Sequence, residues 1–302
     1  MVLTHRRAVV TMVAVTLMWS IAGVVSRQLE SARSFEVTFW RSAFTVLALL
    51  PLLGWLRGPR VLLQSIRQGG RELWLSGACW CVMFTAFMVA ITLTTVANVL
   101  VTMSVGPMFT ALASRFVLGH RLATRTWMAI ALAGIGIAWM YGHEVTGTDS
   151  RHLLGTLVAL CVPIAAATNW TLMQHIHHGQ GDDEAGDMLP AVLIGAVLSS
   201  LLTLPLALPF AATHTDLAWL ALLGSVQLAI PCLLAMSLSR VLSAPELALM
   251  ALLEVVFGVA WAWLGAGEAP SAAVLGGGAL VLGALAFNEA WALRARTAAP
   301  AA

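Results

Sequence analysis

Ten stretches of this chain are each apolar over about the length of a bilayer crossing, and very little chain lies between them. They run roughly 8–26, 35–56, 74–93, 95–118, 126–142, 153–174, 188–209, 217–239, 244–265 and 272–293. A helix needs about 20 apolar residues to cross the hydrocarbon core. Inside lipid a single spanning segment must satisfy its own backbone polar groups, so runs of this composition have to be helical. Charge supports the same conclusion: 10% of the residues are charged and 60% are hydrophobic. A soluble domain carries about 25% charged residues, and fewer cannot coat a water-facing surface of this size. The sequence therefore predicts an all-α membrane protein of ten transmembrane helices, with no extramembrane domain. Arg6 and Arg7 before the first stretch also suit a signal peptide. Against that, the apolar run is long and no clear small-x-small site precedes Arg27.

Arginine placement sets the orientation. With the N-terminus cytoplasmic, twelve Arg fall on the inner side and three (Arg27, Arg33, Arg151) on the outer, while Arg41 lies inside span two. Both termini are thus expected in the cytoplasm, with the chain in the cell's inner membrane. All sixteen basic side chains are Arg. A Walker A motif needs its Lys, so an ATP-driven pump in one polypeptide is not expected. A net charge of +2 is too small to imply a nucleic-acid partner. No H-E-x-x-H or G-x-S-x-G sequence marks an enzyme, and no cofactor is implied.

The chain also resembles itself. Span four ends Arg115-Phe116-Val117-Leu118-Gly119-His120 and span nine ends Trp263-Leu264-Gly265-Ala266-Gly267-Glu268, at an offset of 148. Spans five and ten align at 147, where Ala129, Ala131 and Gly136 meet Gly276, Gly278 and Gly283. Small residues let helix backbones approach closely in membranes. Halves at 1–148 and 149–302 hold five crossings each. An odd number of crossings inverts the second half, which gives two inverted five-helix repeats, the architecture of many secondary transporters.

Several motifs point to a family. Span one has Leu17-Met18-Trp19-Ser20-Ile21-Ala22-Gly23, and span two has Phe39-Trp40-Arg41. Span four runs from Ala97-Asn98-Val99-Leu100 through Gly106-Pro107-Met108-Phe109-Thr110-Ala111-Leu112 to Gly119-His120-Arg121-Leu122. With ten spans and two repeats, the whole chain resembles the drug/metabolite transporter superfamily in its EamA branch. His120 stands where that family usually shows Glu, while the second copy keeps Gly267-Glu268. The resemblance implies a monomeric secondary transporter working by alternating access, its cavity walled mostly by spans three, four, eight and nine. Within the family it looks most like the aromatic amino acid exporters, which implies export of aromatic and other apolar amino acids. The alternative is export of other small amphipathic metabolites or drugs.

The residues themselves narrow the site. A charge at mid-membrane costs about 2.5–3.5 kcal/mol, so each one needs a reason. Arg41 and Glu254 lie inside spans, Glu36 and Glu289 nearer span ends. Glu254 reads either as an ion-coupling or substrate-binding carboxylate or as a structural one. Arg41 reads either as a tie between helices or as a binder of substrate carboxylate. Trp19, Ser20, Trp80, Phe84, Met88, Asn98, Met103, Asn169, Trp170 and Gln227 form polar and aromatic stripes that would line a cavity for amphipathic solutes. Packing within the bundle is the other reading. Pro107, Pro163 and Pro231 should bend their helices, either for packing or to shape that cavity. Ser243 and Glu246 read as a capping box around Pro245. The segment His175-Ile176-His177-His178 with Asp182, Asp183, Glu184 and Asp187 is expected to be a solvated loop rather than a metal site. Cys79, Cys81, Cys161 and Cys232 are expected to be reduced.

Overall fold

A computed structural model describes residues 4–26, 28–32, 34–94, 96–119, 123–141, 150–179, 187–266 and 271–297. Among them there is no strand, and helices occupy each of the ten apolar stretches. In chain order these are α1 (His5–Ser20), α2 (Ala22–Ser26), α3 (Ser34–Arg57), α4 (Pro59–Gln68), α5 (Arg71–Leu93), α6 (Val96–Met103), α7 (Gly106–Val117) and α8 (Thr124–Tyr141). They continue with α9 (Ser150–Gly179), α10 (Pro190–Ala207) and α11 (His214–Leu222), then a π-helical segment (Leu223–Ala229) leading into α12 (Ile230–Leu238). The last three are α13 (Ala244–Ala251), α14 (Leu253–Ala266) and α15 (Ala272–Thr297).

Among the described residues, seven helical stretches are long and apolar enough to cross a membrane: His5–Ser26, Phe35–Arg57, Arg71–Leu93, Leu153–His177, Pro190–Ala207, His214–Leu238 and Ala244–Trp261. Outer faces of the bundle keep large apolar side chains: Trp55 of α3 is 83% exposed and Phe116 of α7 79%. Apolar surface on this scale is not tolerated against water, but lipid tails accept it. The chain has the pattern of a multi-pass membrane protein.

One of the three prolines acts differently from the bend expected of it. Pro163 does lie inside the unbroken helix α9. Pro107 instead sits in the first turn of α7, whereas Pro231 lies within the continuous helical stretch His214–Leu238, directly after the π segment. A first-turn N–H has no helical partner to lose, so Pro107 begins a helix instead of bending one. The 95–118 stretch is accordingly two helices, interrupted at Ser104–Val105, and the 244–265 stretch is interrupted at Leu252. Val105 and Leu252 are 147 residues apart. A further correction concerns the His-rich segment: α9 continues through His175, His177 and His178 to Gly179. Residues 180–186, with Asp182, Asp183 and Glu184, lie outside the described residues. At the start of α13, the Glu246 carboxylate accepts the Ser243 N–H at 2.9 Å, as the capping motif requires.

Helix packing follows a regular scheme. The helix at each of positions two, four and five packs on its counterpart five positions on: α3 on α10, α7 on α13, and α8 on α15. The other main contacts come in exchanged pairs. Helix α5 packs on α9 as α1 packs on α12; α5 packs on α10 as α3 packs on the π segment; α7 packs on α9 as α1 packs on α14. Small residues mark these crossings. On α8 and α15 the close approach is between Gly136 and Gly277, where an added Cβ on either glycine would collide with the other's carbonyl oxygen. Gly278 and Gly283, which align with the small residues of span five, face open space.

Candidate functional site

Arg41, about two turns into α3, is only 3% exposed. Its Nη2 donates to the Phe84 carbonyl of α5 at 3.1 Å, while Nε has no hydrogen-bond partner. One turn further, the Thr45 hydroxyl lies 2.8 Å from the Arg41 carbonyl and 2.9 Å from that of Gly224. This ties α3 to the π segment. Gly224 permits the approach, because a Cβ there would stand 2.5 Å from the Arg41 carbonyl oxygen and 2.6 Å from Phe44 Cβ. Gly77 plays the same part where α5 meets α10, with Ile194 in the way of any Cβ. Gly77 and Gly224 are also 147 residues apart.

A π turn inserts an extra residue per turn and re-aims the side chains that follow, a device found often at functional sites. Here it turns Gln227 inward. Gln227 Nε2 donates to the Trp19 carbonyl at 3.2 Å, and Oε1 has no partner. Ser20 donates to the Leu17 carbonyl at 2.7 Å and accepts from Trp261 Nε1 at 3.0 Å. Glu254, half-buried, opens α14 just past the interruption at Leu252, where the positive end of the helix dipole favours an acid. It lies within electrostatic reach of both Arg41 and Cys232.

Aromatic side chains close this interior. Trp80 packs against Phe84 at 5.5 Å and edge-on to Trp170 at 5.7 Å between ring centroids. All three are buried in the largest core cluster, and Trp80 Nε1 has no partner. Beside them Asn169 Oδ1 accepts from Ser76 at 2.6 Å, and its amide nitrogen lies 4.0 Å from the Met236 sulfur.

The structure therefore brings Arg41, Trp19, Ser20, Trp80, Phe84, Asn169, Trp170, Gln227 and Glu254 into one interior region. Met88 does not join it, packing instead with Val37, Leu220 and Leu223. Met103 packs beside Ala90, Val99 and Ala159. The Asn98 and Glu289 side chains lie outside the described residues. Sequence reasoning missed Thr45, Ser76, Gly224 and Trp261. The offset of 147 that pairs Gly224 with Gly77 was the available signal for one of them; the others are single polar or aromatic residues in apolar runs.

Two further polar regions flank the interior. At the end that the Arg distribution assigns outside, Glu36 is fully buried and accepts the Ala211 and Ala212 N–H groups at 2.8–3.0 Å. Asp216, also fully buried, accepts from Glu30, Ser31 and Thr213 N–H at 2.9, 3.2 and 3.1 Å. Each carboxylate, standing in the first turn of one helix, thus clasps the loop leading into the other. At the opposite end Arg57 pairs with Asp187 at 3.1 Å.

Residues 6–142 match the EamA-like transporter family. No curated protein matches the chain. Among solved structures, one crystal structure of a protein superposes with a TM-score of 0.77, over 96% of this chain and 98% of that one, at 17% identity. Identity that low makes it a likeness of fold. The class these findings define is a multi-pass membrane protein, helical with no strand among the described residues, whose residues 6–142 match the EamA-like transporter family.

Proposed function

We propose that this protein is a secondary transporter that exports amino acids, aromatic and other apolar ones foremost, by alternating access between two inverted repeats, 1–148 and 149–302. The observation that carries the reading is the pair of interrupted spans. Interruptions at equivalent places in two halves are the best pointer to a transporter's binding site, because they free backbone and side-chain polar groups at depth. Here the breaks at Val105 and Leu252 share one offset with Gly77 and Gly224. The exchanged packing pairs support the same two-fold scheme. The interior chemistry fits a zwitterion with a large apolar side chain. The Arg41 guanidinium suits a carboxylate, Gln227 Oε1 and Glu254 suit an ammonium, and Trp80, Phe84 and Trp170 suit the side chain. Both termini would lie in the cytoplasm and the protein would act as a monomer in the inner membrane.

Purified protein in liposomes tests this. Counterflow of L-phenylalanine or L-tryptophan, competed by other apolar amino acids, is the expected result. Flux restricted to non-amino-acid amphiphiles would move the substrate to metabolites or drugs. No flux of either kind would remove the transporter reading. A flux that ignores an imposed pH gradient would make the protein a facilitator and leave Glu254 to substrate binding.

A further inference from the structure

On the inner side of the aromatic cluster lies a cleft of about 130 Å³, lined by Arg57, His177, Met188, Leu189, Met236, Ser237 and Arg240. This is well above the roughly 10–15 Å³ that one water needs. Its two guanidiniums are not equivalent. Arg57 is held by Asp187, whose carboxylate also accepts the Leu189 N–H at 3.3 Å. Arg240 is exposed and has no ion pair among the described residues. Met236 is 3% exposed, and its sulfur sits 4.0 Å from Asn169, the neighbour of Trp170. Met236 is thus a shared wall, facing the cleft on one side and the aromatic cluster on the other. An unbranched thioether is the side chain best able to swing aside without repacking a core.

We propose that this cleft is a second binding site, where a carboxylate-bearing amphipathic solute docks from the inner face before passing Met236 into the interior. This rests on the transporter reading above. The planar fork of Arg240 takes the carboxylate, and Met188, Leu189 and Met236 cover the apolar part. One free guanidinium, with Arg57 already neutralised by Asp187, suits a singly charged head and disfavours a phosphate.

The test reads occupancy without transport. Ser237→Cys, in a Cys161→Ser background that removes the exposed native thiol, is labelled with a membrane-impermeant maleimide in inside-out vesicles. L-Phenylalanine is expected to slow labelling, and phenethylamine, which lacks the carboxylate, is not. Arg240→Lys keeps the charge but loses the fork, so about tenfold more phenylalanine should be needed for the same protection. Equal protection by both probes, or none, overturns the site. Transport without protection overturns the site and keeps the transporter reading; protection without transport does the reverse. Should the cysteine variant misfold, Arg240→Lys alone, in phenylalanine counterflow, should raise KM about tenfold with kcat retained. An unchanged KM there also overturns the site.

Discussion

Two parts of this molecule bury charged or polar groups, and they treat them in opposite ways. At the outer corner, every contact of Glu36 and Asp216 described above is a backbone N–H donating to a carboxylate, and both residues are fully buried. In the interior, Arg41, Gln227 and Trp80 are as well buried, yet each keeps one polar atom without a partner. An unsatisfied buried polar atom costs about 1–3 kcal/mol. Three such atoms around one aromatic cluster work against stability, and a bound solute would supply their missing partners. The satisfied corner holds the fold, whereas the unsatisfied one is suited to binding.

That contrast can be broken by experiment. Glu36→Ala strands the Ala211 and Ala212 N–H groups, so it should cost about 2–5 kcal/mol. The thermal midpoint in detergent should fall sharply, with substrate KM unchanged in the protein that still folds. A KM change at unaltered stability would place the outer corner with the binding groups. Gly224→Ala comes next, at about 1–3 kcal/mol, because the new methyl pushes the π segment off α3. It should lower both midpoint and flux, and a neutral result would mean that the π segment does not set the position of Gln227. Arg41→Gln sharpens the comparison from the other side. A buried guanidinium with an unpartnered nitrogen carries a desolvation cost that its removal relieves, so the midpoint should hold or rise while substrate affinity drops about tenfold. A collapse in stability with affinity intact would make Arg41 a helix tie. The smallest effect belongs to Trp80→Phe, which keeps a ring in the cluster and deletes the unpartnered indole N–H. A KM increase of about threefold is expected, at a midpoint shifted only slightly.

Much of the candidate site was legible because intramembrane polar residues are rare and each stands out. Arg41, Glu254, Asn169 and Gln227 were marked by polarity alone, and Trp80, Phe84 and Trp170 by their spacing beside polar residues. Asp216 was not. It sits near the start of an apolar run, where an acid looks like ordinary capping, and its reach to Glu30 and Ser31 depends on a contact 185 residues away in sequence. Met88 was assigned to the cavity by helical spacing and Met103 by its place beside Asn98 in span four, but neither says which neighbour a helix face meets.

By itself the sequence determined that the chain is a set of membrane helices. Lipid offers no partner for a bare backbone, so long apolar runs have a single solution. It also carried the weak repeat, because the same offset recurs in small residues. Only the tertiary structure decided that Pro107 begins a helix, that the helical stretches are interrupted at Val105 and Leu252, and that a π turn faces Arg41. Those outcomes depend on which helices touch. In a chain that is 60% hydrophobic, the apolar pattern says little about that, because lipid-facing and protein-facing surfaces are equally apolar.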